Sequence, residues 1–267
     1  MVQSIGVAVS HSSHADLSAF EPVTPSPDLG VGARPWRDGG AATLKTLGII
    51  ALALLLPGLL IFPMRGILSG TLEAPNASPI FLLTLLLSQV VMGAGAILLA
   101  WRSSAGLRTH LALGKPLQGW RAYVIAIAVT WGTVMVINLI RQHVFGHDIY
   151  ADLRMMAQLF QNPMWPLSVA VLALGAPIAE ELLFRGYLMG AFRSTQAQLA
   201  IGAVISTAIW AALHSYTVGG MILVAVLGLM FGAMRIMSGS LRVPLAAHMF
   251  NNAVACIVLQ LGFIPLG

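Results

Sequence analysis

Long apolar runs alternate with short polar gaps from Thr46 to Phe263. Seven such runs can be drawn, at Thr46–Met64, Ile80–Trp101, Ala122–Ile140, Trp165–Ala191, Leu199–Tyr216, Val218–Met237 and Val243–Phe263. Each is close to the roughly 20 residues that a helix needs to cross hydrocarbon. The pattern therefore predicts an all-α, polytopic membrane bundle of about seven transmembrane helices. The fifth and sixth runs almost touch, so the turn near Thr217–Gly220 must be tight, and its two glycines permit that. The fourth run is long and contains Pro166 and Pro177, which predicts either a tilted helix or one bent at the prolines. Gly228 and Gly232 form a small-xxx-small pair, read as a close helix–helix approach.

The first 40 residues break this pattern. They are small and polar, and Pro22, Pro25, Pro27 and Pro35 argue against a helix. Three regions follow from the pattern: a disordered or loosely packed N-terminal tail over 1–42, N-terminal transmembrane helices over 43–145, and a motif-bearing transmembrane core over 146–267. No secretory signal peptide is expected from this segment.

Composition strengthens the membrane reading. Of 267 residues, 58% are hydrophobic and only 9% are charged, where a soluble domain carries about one quarter. Mean hydropathy is +0.86. The formal charge of +5 comes from 14 basic and 9 acidic residues. In such a chain a basic excess meets anionic headgroups and sets topology. No basic–aromatic patch points to nucleic acid. Arg34, Arg37 and Lys45 precede the first run, and Arg102, Arg108, Lys115 and Arg121 lie between the second and third. This bias predicts an integral protein of the cell (inner) membrane with a cytoplasmic N-terminus. Cys256 is the single cysteine, so no disulfide and no CxxC metal site can form, and it reads as a small buried hydrophobe.

The informative residues are the costly ones inside the apolar runs. An ionised side chain at the bilayer centre costs on the order of 3 kcal/mol or more, so it faces the protein interior or a water-filled cavity. The candidates are Glu180, Glu181, Arg185, His214, His248, Asn251 and Asn252. Glu181 and Arg185 stand one helical turn apart, acid before base, which suits an internal ion pair. Glu180 points about 100° away from Glu181, free to look into a cavity. Trp210 and His214 share a helix face, as do His248 and Asn252. At about 1.5 Å per residue, Glu180 lies ~22 Å and His214 ~27 Å from the turn near Ser194–Gln196. His248 and Asn252 lie ~14 and ~20 Å from the turn near Gly239, on the same side. One carboxylate, two imidazoles and a carboxamide from three helices can thus converge within the membrane.

Those residues carry a resemblance. "EELLFRG" at Glu180–Gly186 resembles the EExxxR motif of the CAAX protease and bacteriocin-processing family of intramembrane proteases. "WAALH" at Trp210–His214 is similar to that family's second motif, with Trp210 where Phe is usual. "HMFNN" at His248–Asn252 resembles its third, His-xxx-Asn. The order agrees, and the similarity spans Trp165 to Phe263. The resemblance implies that Glu180 activates a water molecule with help from His214, that His248 and Asn252 stabilise the oxyanion, and that Glu181, Arg185 and Trp210 support the site. It implies a membrane-associated peptide or protein substrate, in the manner of type II CAAX prenyl endopeptidases, with the lipid bilayer as the other partner. The chemistry fits these groups. Burial makes a carboxylate a better base near neutrality, and an oxyanion donor is worth roughly 3 kcal/mol in soluble proteases.

No cofactor is expected, but zinc on Glu180, His214 and His248 is the competing chemistry, although HExxH is absent. No GxSxG elbow supports a serine protease. Outside hydrolysis, a buried Glu with His partners also suits a proton-coupled transporter, and a non-catalytic scaffold or immunity protein is the third reading.

Overall fold

The computed structural model describes residues 35–61, 79–160 and 163–264. Of the expected N-terminal tail, residues 1–34 lie outside the described residues. Residues 35–42 are helical, because α1 spans Pro35–Ile61 and begins ahead of the apolar run. Proline at a helix start gives up no hydrogen bond, so Pro35 opens this helix where a tail was expected. Next come α2 (Pro79–Trp101), the short α3 (Leu107–His110), α4 (Trp120–His143) and the short α5 (Ala151–Ala157). Then follow α6 (Trp165–Leu188), α7 (Gln196–Ala212), α8 (Val218–Ser238) and α9 (Arg242–Gln260).

The protein is an all-α integral membrane bundle, with no strand among the described residues. Six helices are long and apolar enough to cross a bilayer, namely those at Arg37–Leu59, Ile80–Trp101, Trp120–His143, Trp165–Leu188, Val218–Ser238 and Arg242–Gln260. The fifth predicted run forms the shorter α7, which stops at Ala212, so His214 and Tyr216 fall in a turn. Large apolar side chains such as Leu54, Leu59, Val124, Val136 and Leu139 are exposed on α1 and α4. In water such a surface would aggregate; in a bilayer it is the lipid-facing coat.

α6 is the axis of the bundle. Its second half is buried almost without interruption, with Leu183, Phe184, Arg185 and Leu188 at 0% exposure. Around it pack Ala96 and Ala100 of α2, Trp210 of α7, Phe231 of α8 and Ala247 of α9. α6 is also not a uniform α-helix: Ala170–Gly175 and Glu181–Leu188 are π-helical. The first π stretch precedes Pro177, which has no N–H to donate and crowds the carbonyl one turn back, so a widened turn relieves it. The proline effect expected from the sequence thus takes the form of a wide turn. The Ala176 N–H bonds Val171 O, one residue further back than in an α-helix. The same register would give Leu172 O the N–H of residue 177, which proline lacks. Leu172 O is left to a partner from elsewhere.

Two contacts close the ends. At one end the 111–119 segment docks under the α8–α9 turn, with Leu241 N–H on Ala112 O (2.9 Å) and Leu117 N–H on Ser238 O (3.1 Å). His110 belongs to this end: its Nε2–H donates to Tyr187 O (3.0 Å), and Nδ1 accepts from Arg193 (3.3 Å). Burial holds this imidazole below its ordinary pKa. The Tyr187 carbonyl works against that, and the Arg193 and Arg235 charges add to it. At the other end lies the 213–217 turn. Gly219 and Gly220 are not in that turn, as expected from the sequence, but in the first turn of α8. They are small because a Cβ on Gly219 would meet Arg141 Nε at 2.6 Å, and one on Gly220 would run into the Asp152 carboxylate.

Gly232 sets how closely α7 and α8 approach, since a Cβ there would meet the Ala203 Cβ at 2.8 Å. Gly232→Leu is expected to force the helices apart and destabilise by about 1–3 kcal/mol. The check is a fall of several degrees in apparent melting temperature in detergent, against no change for Gly48→Ala, where the added Cβ meets nothing within 4 Å.

Candidate active site

The polar residues of α6, α7 and α9 meet around a cavity of about 470 Å³. Its walls include Glu180, Trp210, His214, His248 and Asn252, with apolar side chains such as Leu54, Leu85, Met92 and Leu172 further along. Glu180 and Glu181 diverge, as adjacent residues on a helix must. Glu181 has no exposed surface, whereas the Glu180 side chain is 20% exposed and lines the cavity.

The buried side is organised by charge. Arg185 Nη1 donates to Glu181 Oε1 (3.1 Å), and Nη2 donates to the Gly228 carbonyl (3.2 Å). The guanidinium carbon lies 4.4 Å from the centroid of the Trp210 ring, a cation–π contact in a desolvated setting. A Cβ on Gly228 would meet Thr207 at 2.6 Å, so glycine is what lets α8 bring this carbonyl in against α7. The small-xxx-small pair is therefore packing that also serves the ion pair.

Glu181 then reaches a third helix. His248 Nδ1–H donates to Glu181 Oε1 (3.1 Å). This bond leaves the opposite ring nitrogen, Nε2, directed at Glu180, 3.9 Å from its Oε2. Phe231 stacks on the imidazole at 5.0 Å between centroids and fixes its plane. Glu180 Oε2 accepts a short hydrogen bond from the Trp210 indole N–H (2.6 Å). His214 donates Nδ1–H to the Trp210 carbonyl (2.8 Å), so its Nε2 carries the lone pair. Its ring meets the Trp210 ring at 4.9 Å and the Tyr216 ring at 5.3 Å. Asn252 Nδ2 donates to Leu172 O (3.0 Å), the carbonyl freed by the π turn and Pro177. An amide nitrogen has two hydrogens, so one remains for another acceptor.

The residues expected from the sequence thus stand as follows. Glu180, Trp210 and His248 are in direct proximity, Glu181 and Arg185 form the expected pair, and His214 and Asn252 share the same cavity wall. Two links are not readable from the sequence. One is the Trp210–Glu180 hydrogen bond, since motif spacing places Trp210 only on the face of His214. The other is the His248–Glu181 bond, which makes Glu181 a partner of α9 as well as of Arg185. A further polar group escapes the motifs altogether. Gln89 of α2 donates to Val171 O (3.1 Å) from within the cavity wall. An amide side chain in the Ile80–Trp101 run, whose other polar groups are the Thr84 and Ser88 hydroxyls, was the available signal.

Zinc would need Glu180, His214 and His248 drawn together as one ligand set. Among the described residues, no three His, Cys, Asp or Glu side chains gather as a metal site.

Fold and site define a polytopic helical membrane protein with a half-buried carboxylate–imidazole–carboxamide cluster. Residues 162–254 match the family model described as type II CAAX prenyl endopeptidase Rce1-like. The match covers part of the chain and contains Glu180, Glu181, Arg185, Trp210, His214, His248 and Asn252. Over these residues the chain is similar to that family. No curated protein and no solved structure matches it.

Removing Arg185 leaves Glu181 buried with only an imidazole for company. Breaking one side of a fully buried pair costs about 3–5 kcal/mol. Arg185→Ala is expected to lower the yield of folded protein and the melting temperature in detergent. An unchanged melt would contradict the burial and pairing described above.

Proposed function

We propose that the chain is an intramembrane endopeptidase that hydrolyses a peptide bond of a membrane-associated peptide or protein with a Glu/His-activated water. The observation that carries this reading is Glu180: a carboxylate facing the cavity, unpaired with Arg185, with an imidazole nitrogen 3.9 Å away. Its neighbour Glu181 absorbs the permanent charge of Arg185, so Glu180 is left for proton chemistry.

The roles follow from which atoms are already engaged. Trp210 holds Oε2 of Glu180, leaving Oε1 to take a proton from water as the water oxygen adds to the scissile carbonyl carbon. His214, with its Nε2 lone pair, accepts from the same water and orients it. Negative charge then develops on the former carbonyl oxygen. His248 can receive it when both ring nitrogens carry a proton, with Nδ1–H held by Glu181 and Nε2–H the remaining donor. The second hydrogen of Asn252 Nδ2 is a further donor. Collapse of the tetrahedral intermediate breaks the C–N bond, and Glu180 returns its proton to the leaving amine. The apolar stretch of the cavity suits extended apolar peptide side chains. The matched family's description makes a C-terminal peptide of a prenylated protein the first substrate to try.

Glu180→Gln is expected to abolish cleavage of a membrane-associated peptide by purified protein in liposomes, with folding intact. General-base loss accounts for roughly 10²–10⁴ in rate. A variant with wild-type turnover would sink the base assignment. A wild-type biological effect in cells carrying the Glu180→Gln variant would favour a scaffold. Asn252→Ala is expected to lower kcat by about 10² with little change in KM, the loss of one oxyanion donor. An effect confined to KM would remove Asn252 from that role.

A further inference from the structure

His214 lies just beyond the end of α7, in the 213–217 turn, with its backbone N–H on Ala211 O (3.0 Å). Within its own segment it is held by the Trp210 carbonyl and by the Trp210 and Tyr216 rings. No hydrogen bond from another element reaches its ring among the described residues. Its place in the cavity is therefore set by the two ends of this segment. Trp210 anchors one end through Glu180. The other end is Thr217, and it is anchored by residues of α4 and α5 that lie outside the matched 162–254 region.

The anchor is Asp152. Its Oδ1 accepts from the Thr217 backbone N–H (2.7 Å), and its Oδ2 accepts from the Thr217 hydroxyl (3.0 Å). Arg141 Nη2 donates to the same Oδ2 (3.4 Å) and to Thr217 Oγ1 (3.4 Å). Arg141 Nη1 donates to Asn138 Oδ1 (3.1 Å), which orients the guanidinium. Thr217 Oγ1 also caps α8 by accepting from Gly220 N–H (3.2 Å). Arg141 is 6% exposed and Asp152 8%. Desolvating such a pair is costly, so its occurrence at one spot beside the cavity calls for a reason. Gly219 and Gly220 leave the room that it occupies. Asn138, Arg141, Asp152 and Tyr216 all line the same cavity as Glu180.

We infer that Asp152, oriented by Arg141, is a positioning residue that fixes the 213–217 turn and so aims His214 at the water activated by Glu180. This rests on the hydrolytic reading and adds a requirement to it: the catalytic unit includes α4 and α5. Misplacing a catalytic group by about 1 Å can cost 10² in rate, so loosening the turn acts on turnover more than on substrate affinity.

The test compares Asp152→Asn, Thr217→Val and Thr217→Ser in purified protein, reading kcat, KM and melting temperature with the same membrane-associated peptide. Asp152→Asn turns an acceptor-only group into one that presents N–H to Arg141. Thr217→Val keeps the shape and removes the hydroxyl. Both are expected to lower kcat by roughly tenfold or more, with KM within about twofold. Thr217→Ser, which keeps the hydroxyl, is expected to restore wild-type turnover. The same preparations are labelled with diethyl pyrocarbonate, and His214 is expected to react several-fold faster in Asp152→Asn and Thr217→Val. Lower melting temperature with unchanged kcat would make the clamp purely structural and overturn the inference. Unchanged His214 reactivity would overturn it as well. If the wild-type protein cleaves nothing, the hydrolytic reading fails, and the labelling alone then decides whether Asp152 holds the turn.

Discussion

Arg185 is a permanent cation with no exposed surface in the central helix of an apolar bundle. Such a group cannot shed its proton to suit its surroundings, so the surroundings must be built to suit it. Every partner it takes comes with a structural demand. Glu181 must sit one turn before it. The Gly228 carbonyl must approach, which requires a residue with no side chain on α8. An aromatic face must lie beneath it, and Trp210 of α7 supplies that. Glu181 in turn draws His248 from α9. A single guanidinium thus ties four helices into one relative arrangement, and that arrangement sets Glu180 facing the cavity.

The second organising feature is the widened turn of α6. An α-helix consumes its own carbonyls, so helices in a membrane have little with which to hold one another except packing. Here the Ala170–Gly175 stretch shifts register, and Pro177 withholds the donor that Leu172 O would have used. Asn252 takes that carbonyl, and Gln89 shares Val171 O. The site is therefore tied to α2 and α9 through backbone atoms that a regular helix would have kept for itself. Wide turns of this kind recur at functional sites because they free polar groups where lipid is excluded.

Trp210 joins the two halves of the site. Its ring covers Arg185 on the buried side, its indole N–H holds Glu180, and its carbonyl holds His214. A phenylalanine at this position could supply the ring and the carbonyl but not the N–H. The departure from the usual second motif is thus chemically specific: it adds a donor to the Glu180 oxygen that faces His248.

What the sequence determined is what depends on local spacing and on the solvent. Long apolar runs require helices in a bilayer, and this much follows from desolvation of the backbone alone. The Glu181–Arg185 pair was legible because one turn of helix joins them, and the divergence of Glu180 followed from the same geometry. Motif order brought Trp210, His214, His248 and Asn252 forward as candidates for the site. The tertiary structure decided the rest. Which oxygen of Glu180 meets Trp210, which nitrogen of His248 meets Glu181, and why Gly219 and Gly220 are bare depend on how helices are rotated and offset against each other. Asp152 and Arg141 show this most clearly. They carry no motif, stand in the short α5 and near the end of α4, and become part of the cavity wall only because α8 begins beside them. Spacing along one helix is set by hydrogen bonds every few residues, whereas the register between helices is set by side-chain packing that no single segment contains.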